Sequence, residues 1–153
     1  MNQPAQVDPR AAADLVELGQ QIGIPNLCLD SAGYCQLAFD SRWLVTLLHA
    51  SATQLWTISC FLAASGKVIS VDAQLAMLRA NFIGAGCAGG IMSIAPDGRP
   101  CLQYRLVGGE TSGGILLAAI ENLLDQAEIW SERVQRGESP PTRSNPTHRW
   151  IQG

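Results

Sequence analysis

The chain has 153 residues, enough for one domain with its own hydrophobic core and short for two. Hydrophobic residues make up 47% and charged residues 15%, well under the roughly 25% charge of an ordinary soluble domain, so the sequence carries more apolar surface than a lone copy readily hides. Net charge is −3, with −5 in residues 1–135 and +2 in residues 136–153, which leaves no basic field to neutralise nucleic-acid phosphates or an anionic membrane.

The opening residues MNQPAQVDPR lack the charged start and apolar run of a secretory signal, and no stretch reaches the roughly 18 apolar residues of a membrane span, so the reading is a cytosolic protein without membrane insertion. Cys28, Cys35, Cys60, Cys87 and Cys101 are odd in number and contain no C-x-x-C pair. That pattern argues against a disulfide framework and a zinc site. Most of them sit in apolar alternating stretches, where a reduced, buried thiol is expected.

The first predicted helix spans 9–22, with Asp8 as its cap, Pro9 in the first turn, and Gly23 and Pro25 ending it. Ala11, Leu15, Leu18 and Ile22 form its packing stripe, opposite a wet face of Arg10, Asp14, Glu17 and Gln21. Four short strand-like segments follow as an antiparallel meander, broken by turn residues at 31–33, 40–41 and 50–53. Leu27 and Leu29, then Cys35, Leu37 and Phe39, then Trp43, Val45 and Leu47, then Trp56, Ile58, Cys60 and Leu62 alternate toward the helices. The opposite face holds Leu44, Leu48, Leu55 and Phe61 among Thr and Ser, an apolar patch in need of a cover.

The second predicted helix spans 71–83, starting near Ser70 or Asp72 and stopping at Gly84 or Gly86. Val71, Leu75, Leu78 and Phe82 line one side of it; Ala73, Ala76, Met77, Ala80 and Ile83 line the other, with no charge among them. A helix apolar on both sides is buried on both sides. The small alanines suit close approach of a second copy, so the expected dimer seam is Ala73, Ala76, Met77, Ala80 and Ile83. A hairpin follows, 91–95 and 101–106 around a turn at 96–99, and then a helix from Thr111 or Ser112 to about Gln135 with Gly137 as its stop. Leu116, Ile120, Leu123, Ala127, Trp130 and Val134 give this helix the cleanest stripe in the chain. The fold class is α+β, in the order α-β-β-β-(β)-α-β-β-α, with a twisted antiparallel sheet packed by helices. Residues 1–136 form the domain, and 137–153, rich in Pro, Ser and Thr, form a tail whose apolar pair Trp150 and Ile151 stands out.

Chemistry is poorly supplied. His148 lies in the tail, leaving His49 as the only histidine for a thiol-dependent site with Cys35 or Cys60. The glycines at 84–90 follow a helix and precede a strand, the reverse of a dinucleotide-binding turn, and those at 108–109 and 113–114 lack the spacing and Lys of a phosphate loop; they read as connectors. No cofactor or metal is expected.

Several strings, in order, carry a resemblance: Gly23-Ile24-Pro25 with Leu27-Cys28-Leu29-Asp30 and Gly33; Cys35 to Asp40 leading to Val45-Thr46-Leu47; Leu75 to Asn81; and Ile94 to Gly98. With Leu123-Leu124 and Gln126 to Trp130 closing the run, the chain resembles the type III secretion chaperones related to the Tir chaperone, the CesT and SycE-like family. The resemblance implies a non-catalytic homodimer joined through the middle helix. It also implies that a secreted effector's chaperone-binding segment winds around the dimer in extended form, held by apolar grooves and by strand addition. Leu44, Leu48, Leu55 and Phe61 are then the expected effector contacts, and the secretion ATPase is a further candidate partner. A scaffold subunit that shares the fold without a secretion role is the other non-enzymatic reading.

Overall fold

A computed structural model describes residues 8–64 and 66–137. The first helix, α1 (Pro9–Ile22), has the predicted bounds. The Asp8 carboxylate accepts from the backbone N–H groups of Arg10 and Ala11, and Gly23 closes the helix in the left-handed conformation. Strands β1 (Tyr34–Phe39), β2 (Trp43–Ala50) and β3 (Leu55–Phe61) form an antiparallel meander. Residues Leu27–Leu29, expected as a strand of that meander, join no ladder: Leu29 is buried in the core and Leu27 packs half-buried against it. The bracketed fourth strand is therefore absent, and the observed order is α-β-β-β-α-β-β-α.

Helix α2 (Val71–Ala80) starts at Ser70, whose hydroxyl accepts from Ala73 N–H. It ends three residues before the predicted stop. Asn81 closes it, and a 3-10 segment, Phe82–Cys87, carries the chain into β4 (Ile91–Ile94). The side chain of Asn81 causes this early end: its amide nitrogen donates to Met92 O at 3.0 Å and its oxygen accepts from Met92 N–H at 2.7 Å. Ile83 then sits at φ 51°, in the left-handed region unusual for a β-branched residue, and leaves the helical face assigned to it. Strand β5 (Pro100–Val107) returns through a turn that begins at Ala95, one residue earlier than predicted. Pro96 and Gly98 thus occupy the second and fourth turn positions that suit them.

The sheet order is β1-β2-β3-β5-β4, antiparallel throughout. Helix α3 (Gly113–Arg136) begins at Ser112, ends at a left-handed Gly137, and packs against α1, β3 and β5. All six residues of its predicted stripe are buried. Gly113 is a packing residue rather than a loose connector. A Cβ there would lie 2.5 Å from Leu18 N, and its own N–H donates to Glu17 Oε2 at 2.9 Å, so α1 helps cap α3. One core cluster joins α1, α3, the inner face of α2 and the inner face of the sheet.

Asp14 departs from expectation. Placed on the wet side of α1 by its spacing, it is only 7% exposed and shares the interior with His49 and Trp56.

Candidate functional site

The sheet has one face under the helices and one face open, because β2 and β3 alternate strictly: Val45, Leu47, Trp56, Ile58 and Cys60 are buried, and the residues between them are not. Leu44 (51% exposed), Leu48, Leu55 and Phe61 (37% exposed) all lie on the open face, where the alternation put them. Cross-strand register divides them into two groups. Gln36, Thr46, Ser59 and Gln103 face one another across β1, β2, β3 and β5 as a polar row, and Gln36 Nε2 donates to Thr46 Oγ1 at 3.2 Å. On one side of that row Tyr34 pairs with Leu48, and Leu55 pairs with Val107. On the other, Leu44 pairs with Ala38 and Phe61 with Cys101. Thr57 and Arg105 continue the row of Tyr34 and Leu48, so an extended chain lying across this face would meet a mixed zone, a polar zone and an apolar zone in turn. Tyr34 and Val107 belong to the surface and were missed; the period-2 pattern around Cys35 and Leu106 was the signal available for both.

The two sheet edges differ. At β4 the outward peptide groups of Met92 are both taken by Asn81, which interrupts that edge at its middle and leaves only those of Ile94 without a partner among the described residues. At β1, Gly33 O accepts from His49 N–H, which fixes the odd-numbered residues as those bonded to β2 and turns Tyr34, Gln36 and Ala38 outward. Asp30 satisfies Tyr34: its carboxylate accepts Tyr34 N–H at 2.9 Å and its N–H donates to Tyr34 O at 2.8 Å. Outward main-chain groups of Gln36 and Ala38 have no partner among the described residues.

The second surface is the outer side of α2 and the 3-10 segment. Ala73, Ala76, Met77 and Ala80, expected at a dimer seam, are buried inside the chain's own core. Close packing explains this: a Cβ on Gly86 would lie 2.6 Å from Ala80 Cα, so the small side chains let α2 approach its own chain rather than a copy. Ile83 is 84% exposed and sits with the opposite stripe, Val71, Leu75, Leu78 (66% exposed) and Phe82 (77% exposed). The 3-10 segment is fastened from beneath by Tyr104 Oη donating to Cys87 O at 2.8 Å and Trp130 Nε1 donating to Gly86 O at 3.1 Å. Phe82 and Ile83 are therefore held outward on an anchored corner. Such a patch of large apolar side chains marks an interaction site.

The thiol-and-histidine pairing gains nothing from the geometry. Cys60 is buried and its thiol is pushed up to about 12 by desolvation, and burial also pushes the Cys35 thiol up. Neither is the accessible, low-pKa thiolate that nucleophilic chemistry needs. His49 is buried against Trp56, with ring centroids 4.9 Å apart, and its Nδ1 has no hydrogen-bond partner. No group of three or more His, Cys, Asp or Glu suited to a metal ion occurs among the described residues, and no described helix is long and apolar enough to cross a membrane. Trp150 and Ile151 lie outside the described residues, as does any contact of the tail with the secretion ATPase.

Solved structures share this architecture. The ExsC-ExsE complex contains a chain 20% identical, aligned over 84% of this chain and 96% of its own with a TM-score of 0.74. The HopA1-SchA chaperone-effector complex follows at 17% identity, 83% and 99% coverage and a TM-score of 0.67. The Yersinia pestis type III secretion chaperone SycH, in complex with a stable fragment of YscM2, matches at 18% identity, 78% and 98% coverage and a TM-score of 0.64. No curated protein is close enough in sequence to count as a relative. The family model for the Tir chaperone protein (CesT) family matches residues 15–131, from the middle of α1 to the last turns of α3, and with that span accounted for the chain belongs to the Tir chaperone protein (CesT) family.

Proposed function

We propose that the chain is a cytoplasmic, non-catalytic type III secretion chaperone that works as a homodimer and holds the chaperone-binding segment of a secreted effector in extended form. The observation that carries this reading is the coincidence of a half-apolar open sheet face with an unpaired edge on the same sheet. Main-chain bonds to Gln36 and Ala38 supply sequence-tolerant affinity. Side-chain contacts with Leu44, Leu48, Leu55, Phe61 and Tyr34 supply selectivity. Strand addition goes to β1 because Asn81 takes the outward groups in the middle of β4 and leaves only those of Ile94 there. The shared fold of the HopA1-SchA chaperone-effector complex points the same way.

The dimer seam belongs to Val71, Leu75, Leu78, Phe82 and Ile83, the side of the middle helix that its own chain leaves bare. Burying one such side chain fully is worth about 1.5–3 kcal/mol, so two copies of this corner have ample driving force to associate.

Copurification from the native bacterium, with the chain as bait, followed by hydrogen exchange on the captured complex tests the reading. The expected result is a bound secreted protein that slows exchange at the Gln36 and Ala38 amides. A complex that leaves those amides unprotected, or protects β4 instead, overturns strand addition at β1.

A further inference from the structure

A cleft of about 350 Å³ opens where β2 begins and β3 ends, walled by Arg99 ahead of β5, Lys67 of the β3–α2 connection, and Gln135 of α3. Its floor is apolar: Trp43, Leu44 and Phe61 line it. Its rim is cationic: Arg42, Lys67 and Arg99 are three of the lining residues, and no carboxylate lines the cleft among the described residues. This is unexpected in a body whose residues 1–135 carry net −5. Two of the cations are already fixed in place. Arg99 lies with its guanidinium carbon 3.6 Å from the Phe61 ring centroid and is braced by Asp97 at 2.8 Å. Arg42 lies 4.7 Å from the Trp43 ring centroid and is braced by Glu128 at 3.4 Å. Arg42 is committed through Nη1 to Glu128 and through Nη2 to Ser131, whereas Arg99 spends its Nε on Asp97 and keeps its Nη donors for a planar anion. Lys67 is exposed and has no ion pair among the described residues.

We infer that this cleft is a subsite for an aspartate or glutamate of the client that is flanked by apolar residues. The inference rests on the effector-chaperone reading, which supplies the client. The carboxylate would lie between Lys67 and Arg99, and the neighbouring apolar side chain would cover Leu44 and Phe61, continuing the apolar end of the open sheet face into a charged terminus. Charge complementarity selects this occupant over the chain's own C-terminal residues. Those residues place Arg149 directly before Trp150 and Ile151, with Arg143 further back and Glu138 as their one acidic side chain, and a cationic cleft repels them. The cleft gathers three cations where the rest of the open face offers the single charge of Arg105 opposite Thr57, so an extended client's carboxylate also sets its register there.

The test uses the full chain and a fluorescein-labelled probe peptide, Ser-Leu-Asp-Leu-Phe-Ser-Gly-Ser, beside its counterpart with Asn in place of Asp. Anisotropy is expected to show the acidic peptide binding about fivefold more tightly, the size of one favourable exposed ion pair. That preference should vanish in Lys67→Glu and at high salt, and amide shifts should centre on Leu44, Phe61 and Lys67. Equal affinity for the two peptides, or shifts centred on Tyr34 and Leu48, overturns the subsite. So does a movement of the Leu44 and Phe61 amides on Trp150→Ala in the absence of peptide, which would make the tail the occupant. The two readings fail separately. A copurified effector that binds Lys67→Glu as well as the unsubstituted chain sinks the subsite and spares the chaperone; discrimination between peptides without any copurified secreted protein does the reverse.

Discussion

Helices α2 and α3 are both amphipathic, and they bury opposite kinds of side chain. The stripe that α3 turns inward is bulky, Leu116, Ile120, Leu123 and Trp130 among it, and the chain's own sheet and α1 cover it completely. Helix α2 turns a mostly small side inward, Ala73, Ala76 and Ala80 with Met77 as its one long side chain, and leaves Val71, Leu75 and Leu78, followed by Phe82 of the 3-10 segment, in water. A helix that served only its own domain would do the reverse, since hydrophobic stabilisation grows with the apolar area removed from water. The contrast teaches that side-chain size, not mere apolarity, tells which face of a helix a protomer keeps for itself. Small residues go where the backbone must come close, and large ones go where another surface arrives later.

The contrast breaks most visibly at the outer face. Leu78→Asp combined with Phe82→Asp should raise the dimer dissociation constant by a factor on the order of a thousand, because each charge would enter the proposed apolar seam. Sedimentation equilibrium measures this, and the far-UV spectrum should stay unchanged, since neither side chain contributes to the protomer core. A dimer that survives both substitutions places the seam elsewhere. The companion change, Leu123→Ala in α3, should lower unfolding free energy by about 2–5 kcal/mol through a cavity in a fully buried site. Urea titration reads that loss, and copurification of the partner subunit should persist under native conditions.

On the sheet, the same inside-outside logic gives a smaller effect. Leu48→Asp on the open face is expected to weaken client binding by about tenfold, the worth of one apolar contact of moderate burial, with no loss of thermal stability. Leu47→Asp, one position along and fully buried, should prevent folding. Equal behaviour of the two variants would mean that the open face is not a binding surface.

These pairs also show how much of the molecule was legible in its sequence. Period-2 alternation through Trp43–Ala50 and Leu55–Phe61 assigned the open face correctly at Leu44, Leu48, Leu55 and Phe61, because a strand has only two faces and one of them must be the core. The bounds of α1 and the stop of α3 followed from Asp8, Gly23 and Gly137, residues whose preferences act within a single turn. The orientation of α2 was not legible, because both of its sides are apolar and periodicity measures polarity rather than closeness of approach. Neither was the role of Asn81, which depends on Met92, eleven residues away on a strand edge that only the folded chain brings to it. Leu27–Leu29 has strand-like alternation yet finds no partner, since pairing is a property of the sheet and not of the segment.

The smallest expected effect lies beneath α1, where the inside is least well satisfied. Asp14, His49 and Trp56 are buried together, and Asp14 Oδ2, His49 Nδ1 and Trp56 Nε1 each lack a hydrogen bond of good geometry. Desolvation pushes the Asp14 carboxyl above its ordinary range, an effect opposed by the nearby Trp56 indole and the Arg10 charge. A carboxyl whose folded pKa exceeds its unfolded value binds its proton more tightly in the native state. Its contribution is therefore most favourable below the unfolded pKa, and stability is lost as pH rises through the raised folded value; at neutral pH the ionised group sits in the interior at a constant cost. Asp14→Asn removes that ionisation while keeping the shape. The variant should be more stable than the parent by about 1 kcal/mol at neutral pH, the order of one unsatisfied buried polar group. That advantage should shrink as pH falls below about 4, where the parent's carboxyl is protonated in both states. Urea unfolding at the two pH values measures the difference. A gain that is the same at both pH values would assign it to packing, and a loss at neutral pH would mean that the carboxylate is satisfied where it stands, leaving the underside of α1 as well ordered as the α3 stripe beside it.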